Sequence, residues 1–206
     1  MFSALWALDQ EIVPADRRAR VTDYLLKNRA QAQRTMTFYY LFKQMYAAGT
    51  ADLDREVLGI IRDKWKPQAE SAWGTTWEDL NGSSKAHCYG MFPGYFLSAY
   101  VLGVRPEMPV TSKHLVIEPH LGDLTFAEGT VVTEYGPVPV SWKVENDALS
   151  FRVEVPTGIT TTLRVPKLGD DAILKLDDHP SAIKAAGNYF TIEITPGTHQ
   201  GVVTHQ

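Results

Sequence analysis

Hydrophobic residues recur at the spacing of a helix through the first half of the chain and at every second position through most of the second half. Residues 2–8 form a short apolar run with no N-cap before it, which reads as the end of a helix that begins elsewhere. Pro14 opens the next helix where its missing N–H is no loss, with Val21, Tyr24 and Leu25 on one face opposite Arg17, Arg18 and Arg20. From Thr35 to Ala48 the segment is apolar nearly all round, through Met36, Phe38, Tyr39, Leu41, Phe42, Met45 and Tyr46, and Gly49 ends it. Thr50 or Asp52 caps a further helix in which Leu53, Val57, Ile60 and Ile61 share a stripe, leaving Asp54, Arg55, Glu56 and Arg62 outside. Met91 to Val104, with Pro93 near its start, is again apolar on every side. Wet and fully apolar helices thus alternate, as in layered helical hairpins with an inner and an outer ring. A simple bundle would give every helix one wet face.

Arg105-Pro106-Glu107-Met108-Pro109 punctuates the chain, because two prolines in such a short stretch stop a helix. This sets a helical domain over 1–106 and a β domain over 107–206. Val138, Val140, Trp142 and Val144 alternate with polar positions, as do Leu149, Phe151, Val153 and Val155, and Asn146-Asp147 turns between them. The period recurs at Ile159, Thr161, Leu163 and Val165 after Pro156-Thr157-Gly158, and at Phe190, Ile192 and Ile194. With shorter candidates at 114–118, 124–133 and 172–176, roughly seven or eight strands at close spacing predict an antiparallel β-sandwich. The expected fold class is therefore α+β, multidomain. No βαβ rhythm or Gly-rich phosphate loop supports nucleotide chemistry.

Composition narrows the function classes. A length of 206 residues accommodates one full core or two small ones, and 44% apolar content with a net charge of −4 gives no basic excess to favour nucleic acid. The single cysteine, Cys88, excludes an internal disulfide and a Cys-based zinc cluster, and reads as a small buried hydrophobe. The apolar run after Met1 lacks a basic leader and stops at Asp9, so it fits neither a signal peptide nor a membrane span. Cytoplasmic residence, or secretion as part of a longer protein, both stay open. His114, His120, His179, His199 and His205 show no metal-ligand spacing, and neither a metal nor a cofactor is expected.

The chemistry concentrates in Trp73 to His87. Glu78 and His87 lie nine positions apart, Trp73 and Trp77 precede the carboxylate, and Asn81-Gly82-Ser83-Ser84 supplies a turn able to fold His87 back. Glu78 suits a general base that takes a proton from attacking water, or else a capping acid at a helix start. Glycoside hydrolysis by inversion needs a second carboxyl group roughly 6.5 to 9.5 Å away. Asp79 and Glu70 are the local candidates, and Asp79 reads better as a turn residue. His87 suits a sugar hydroxyl or a satisfied core position; Trp73 and Trp77 suit a pyranose face or the core.

The run Gly-Thr-Thr-Trp-Glu-Asp-Leu-Asn-Gly-Ser-Ser-Lys-Ala-His-Cys-Tyr-Gly, then Pro93-Gly94-Tyr95-Phe96-Leu97-Ser98 and Tyr100-Val101-Leu102-Gly103-Val104-Arg105-Pro106, resembles the C-terminal part of the α-L-rhamnosidases of glycoside hydrolase family 78. Ile117-Glu118-Pro119, Ala127-Glu128-Gly129, Thr133-Glu134-Tyr135-Gly136 and Val140-Ser141-Trp142 are similar to the start of that family's C-terminal β domain. The resemblance implies an inverting glycosidase in which about five helices form part of an (α/α)6 toroid. It also implies Glu78 as general base and His87 as a rhamnose contact. The family's general acid lies in an earlier acidic stretch ending in Trp-Thr-Gly-Asp, which nothing in these residues matches. The chain is thus expected to be a C-terminal fragment that acts on a rhamnose-containing glycoside together with the missing N-terminal part, or that self-associates. The competing expectation is a non-catalytic carbohydrate-binding or assembly module docked on a partner chain.

Overall fold

Four apolar rings from three segments meet in the helical part: Phe38, Phe42, Trp65 and Phe92, with centroids 5.1 to 6.4 Å apart. The computed structural model describes residues 1–107, 112–177, 179–180 and 185–205. These divide into two compact units, Met1–Tyr95 and Phe96–Gln206. Met108 and Pro109, which close the expected border, lie outside the described residues. Among the described residues no helix is long and apolar enough to cross a membrane.

The helices are α1 (Phe2–Asp9), α2 (Ala15–Lys27), α3 (Thr35–Ala47), α4 (Ala51–Ala69) and α5 (Phe92–Phe96). Pro14 is the residue before the first turn of α2, where it fixes an extended entry; Leu25 is buried, and Tyr24, expected beside it, is exposed. α3 buries Phe38, Leu41, Phe42, Met45 and Tyr46 and stops before Gly49, whose φ of +65° no β-branched residue adopts cheaply. Thr50 caps α4 through its hydroxyl, which accepts from the Leu53 N–H at 3.4 Å.

α4 is rotated from the expected stripe. It buries Asp54, Val57, Leu58, Trp65 and Gln68, while Leu53, Ile60 and Ile61 are half-buried. The aromatic cluster and Gln68 decide this, since Trp65 loses far more water-exposed area than any of the isoleucines can. The expected helix from Met91 to Val104 is also broken. A 3-10 turn (Cys88–Met91) leads into α5, and a π turn (Leu97–Val101) follows it. Met91 and Tyr95 are exposed, so this segment is not buried on every side. Cys88, expected inside, is exposed at the start of the 3-10 turn.

The second unit carries strands β1 (Val104–Pro106), β2 (His114–Ile117), β3 (Phe126–Thr133), β4 (Gly136–Glu145), β5 (Ala148–Val155), β6 (Thr160–Pro166), β7 (Ala172–Leu176), β8 (His179–Pro180), β9 (Ala185–Ala186), β10 (Tyr189–Ile194) and β11 (Gly197–His205). They form a five-stranded sheet, β1-β2-β6-β10-β9, and a six-stranded sheet, β3-β4-β5-β11-β7-β8. Pairing is antiparallel except between β2 and β6. Asn146 and Asp147, at φ of +50° and +58°, make the two-residue turn of the β4–β5 hairpin. The alternation holds, with Val138, Val140, Trp142, Leu149, Val153, Leu163 and Val165 all buried. A void of only about 10 Å³ is lined by residues of both sheets, including Trp142, Phe151 and Leu163.

β11 was not foreseen, yet it lies at the centre of its sheet between β5 and β7. Its Gly201 has no room for a side chain: a Cβ there would stand 2.5 Å from Phe151 Cζ and 2.7 Å from the Lys175 carbonyl. The interior also holds a charged cluster. Glu118 receives the guanidinium groups of Arg105 (3.4 Å) and Arg164 and the imidazole of His120 (3.3 Å). Burial alone would raise the Glu118 pKa, but the His120 hydrogen bond and the two guanidinium groups outweigh it and hold it below the usual value.

Candidate functional site

The loop after α4 doubles back as a short ribbon. Trp77 pairs with Lys85 in an antiparallel bridge. The Glu78 N–H donates to the Ser84 carbonyl (3.2 Å), and the Ala86 and His87 N–H groups donate to that of Thr76 (3.0 and 2.8 Å). The Thr76 hydroxyl returns a bond to the His87 carbonyl at 2.8 Å. Two glycines allow the close packing. Gly82 lies against the Trp77 ring, and a Cβ on Gly90 would stand 2.6 Å from the Thr76 Cβ. The Gly90 carbonyl in turn accepts from the Trp65 indole at 2.7 Å.

Gln68 anchors this ribbon to α4. Almost fully buried, it donates to the Lys64 carbonyl (3.0 Å) and accepts from the Trp77 N–H (2.9 Å), next to Glu78. Sequence reasoning missed it, because a lone glutamine near a helix end carries no signal of burial.

Glu78 is exposed and lines a cleft of about 1140 Å³. Around it stand the first turn of α3 from Arg34 to Thr37, Glu56 and Lys64 of α4, and Tyr89. Of the cleft's carboxylates, Glu56 accepts twice from Arg29 Nε, at 2.7 and 2.9 Å. Asp79 accepts from the Ser83 hydroxyl and from the Asn81 and Ser83 N–H groups, and these bonds, the hydroxyl first, hold its carboxyl below the usual range. Asp79 is thus committed to its own turn. Among the described residues the Glu78 carboxylate has no ion pair or hydrogen-bond partner, which leaves it available to water.

The other expected contacts lie outside the lining of this cleft. His87 Nδ1 accepts from the Tyr89 N–H at 3.2 Å, so a proton on the neutral ring sits at Nε2, and its ring lies 4.5 Å from that of Tyr89, which does line the cleft. Trp73 is 64% exposed. The ammonium of Lys85 lies 5.9 Å from its ring centre and 5.7 Å from that of Trp77, within cation–π range of both. Among the described residues no group of three His, Cys, Asp or Glu side chains is placed to hold a metal ion.

The first unit thus presents a cleft with an available carboxylate on its rim, and two β-sheets follow it in the chain. Residues 103–175 match the family described as bacterial alpha-L-rhamnosidase C-terminal domain. An alpha-L-rhamnosidase of Alteromonas sp. (strain LOR) is 29% identical over 133 residues, 58% of this chain and 14% of that protein. The solved α-L-rhamnosidase of Dictyoglumus thermophilum superposes on 98% of this chain with a TM-score of 0.79 at 21% identity, using 25% of its own length. That of Streptomyces avermitilis, complexed with L-rhamnose, does so on 98% with a TM-score of 0.80 at 18% identity, using 21% of its length. The chain is similar to the C-terminal part of α-L-rhamnosidases and spans a quarter or less of the length of these relatives.

Proposed function

We propose that this chain is the C-terminal portion of an inverting α-L-rhamnosidase-like glycoside hydrolase that removes terminal α-L-rhamnosyl residues. Its helices, over 1–106, are the last part of an (α/α)6 toroid, and its strands, over 107–206, form the β-sandwich that follows it in the chain. The observation that carries this reading is Glu78: of the carboxylates lining the cleft, Glu56 is held by Arg29 and Asp79 by its own turn, and Glu78 alone is available as a base. It takes a proton from the water that attacks the anomeric carbon. His87, whose ring lies against Tyr89 of the cleft, orients a sugar hydroxyl through Nε2–H, and Trp73 and Trp77, outside the cleft lining, are the further apolar faces expected to meet the sugar.

An inverting mechanism also protonates the leaving oxygen from a second carboxyl group. Glu56 and Asp79 are engaged as acceptors and cannot deliver that proton. The chain by itself is therefore expected to hydrolyse slowly, since each proton transfer contributes roughly 10² to 10⁴ in rate. The test combines turnover with binding. The purified chain and its Glu78→Gln variant should both leave an aryl α-L-rhamnoside near its spontaneous rate, while L-rhamnose shifts the backbone amide resonances of the Thr76–His87 ribbon. Fast hydrolysis abolished by Glu78→Gln would refute the half-site, and unmoved resonances would refute the sugar site.

The second reading, a non-catalytic module docked on a partner chain, draws support from the exposed apolar side chains Phe2, Trp6, Met91 and Tyr95 of the first unit. It predicts that Trp73→Ala and His87→Ala leave calorimetric binding of L-rhamnose unchanged.

A further inference from the structure

The six-stranded sheet turns Val138, Val140, Trp142, Leu149 and Val153 inward, all buried. The residues between them face outward, because side chains alternate along a strand. Register sets Glu128, Ser141, Arg152 and Gln200 side by side across β3, β4, β5 and β11. Phe126, Lys143, Ser150 and Val202 form the next row. With strands about 4.8 Å apart, each row is roughly 14 Å long. A groove of about 450 Å³ follows both rows, and a second of about 170 Å³ continues past Arg152 toward Thr130 and Glu154.

Three properties decide what this groove accepts. Phe126 is 66% exposed and gives this mostly polar face its one flat apolar ring. The charges are compensated in place, since Arg152 donates to Glu154 at 3.1 Å and Lys143 to Glu145 at 2.8 Å. No net field therefore draws a polyanion here. Carboxylate, hydroxyl, guanidinium and amide follow one another along a single row, offering donors and acceptors at strand spacing. A chain of rings with apolar faces and many hydroxyl groups satisfies all three; a polyanion fails on charge, and an apolar peptide leaves the polar row unmatched. We infer that the outer face of β3, β4, β5 and β11 is a non-catalytic binding surface for a neutral oligosaccharide chain, with one ring stacked on Phe126 and its hydroxyls bonded along the Glu128–Gln200 row. This surface belongs to the second unit and does not depend on Glu78.

Affinity electrophoresis of the whole chain in native gels containing an uncharged, rhamnose-rich polysaccharide tests the inference. The wild-type chain should be retarded, and Phe126→Ala and Arg152→Ala should each weaken retardation by roughly fivefold, the scale of one aromatic or charged contact. Their thermal midpoints should stay at the wild-type value. Val132→Ala, exposed on the same strand but outside both grooves, should be retarded like wild type. The inference is overturned if the wild-type chain is not retarded or if all variants are retarded equally. It is also overturned if Phe126→Ala only dissociates a dimer without changing retardation.

Discussion

Glu118 shows how a single residue couples the second unit to pH. Its carboxylate meets Arg105, Arg164 and His120 while almost wholly withdrawn from water. Because its pKa is held below the ordinary value of 4.5, the charged form stabilises the fold above that pH. The contribution is lost as pH falls through the lower folded value. Chemical denaturation across pH 3 to 6 should therefore show stability falling on the acid side for wild type and a flatter profile for Glu118→Gln. At pH 7 the variant should cost about 3 kcal/mol, the low end for removing one partner of a buried pair, because Arg164 retains solvent contact. Nothing in the sequence announces this cluster, since Arg105, Glu118, His120 and Arg164 come together only when β1, β2 and β6 pair. Asp79 was legible, because an acid at the head of Asn-Gly-Ser-Ser bonds its own turn whatever surrounds it.

At the scale of elements, the strands with clean alternation were legible and β11 was not. Gly197 and Gly201 interrupt its pattern, and His199 and Gln200 make it read as a polar tail. The glycine that hid the strand is the one its neighbours require. Gly201→Ala should lower stability by about 1 to 3 kcal/mol in urea denaturation, the usual cost of overpacking, because the Phe151 ring must move. A loss below a few tenths would mean that β5 and β11 yield more readily than their contact suggests. The helices show a different limit. Periodicity located α4 but misjudged its buried face, because Gln68 and Trp65 engage partners distant in sequence. Composition predicts one helix after Gly90 because it does not reveal where a chain changes from 3-10 to α to π winding.

For the molecule as a whole, the first unit leaves Phe2, Trp6, Ile12, Met91 and Tyr95 exposed to solvent. Self-association at micromolar concentration is the expected outcome by multi-angle light scattering, weakened by Trp6→Ser. A monodisperse monomer over that range would count against an apolar surface that needs covering. The succession of helices and then strands was readable from the change in hydrophobic period, and the turn inside the Trp73–His87 loop from its Asn-Gly-Ser-Ser run. Which of its side chains faces the cleft required the ribbon itself, in which Glu78 lines the cleft and Trp77, bridged to Lys85, does not. That arrangement leaves Lys85 resting against Trp73 and Trp77, two of the five indoles in the chain. An ammonium so close to both rings alters their emission, and any ligand or partner that draws Lys85 away changes the light they give. The loop thus carries its own optical gauge, and fluorescence can follow its occupancy with no label attached.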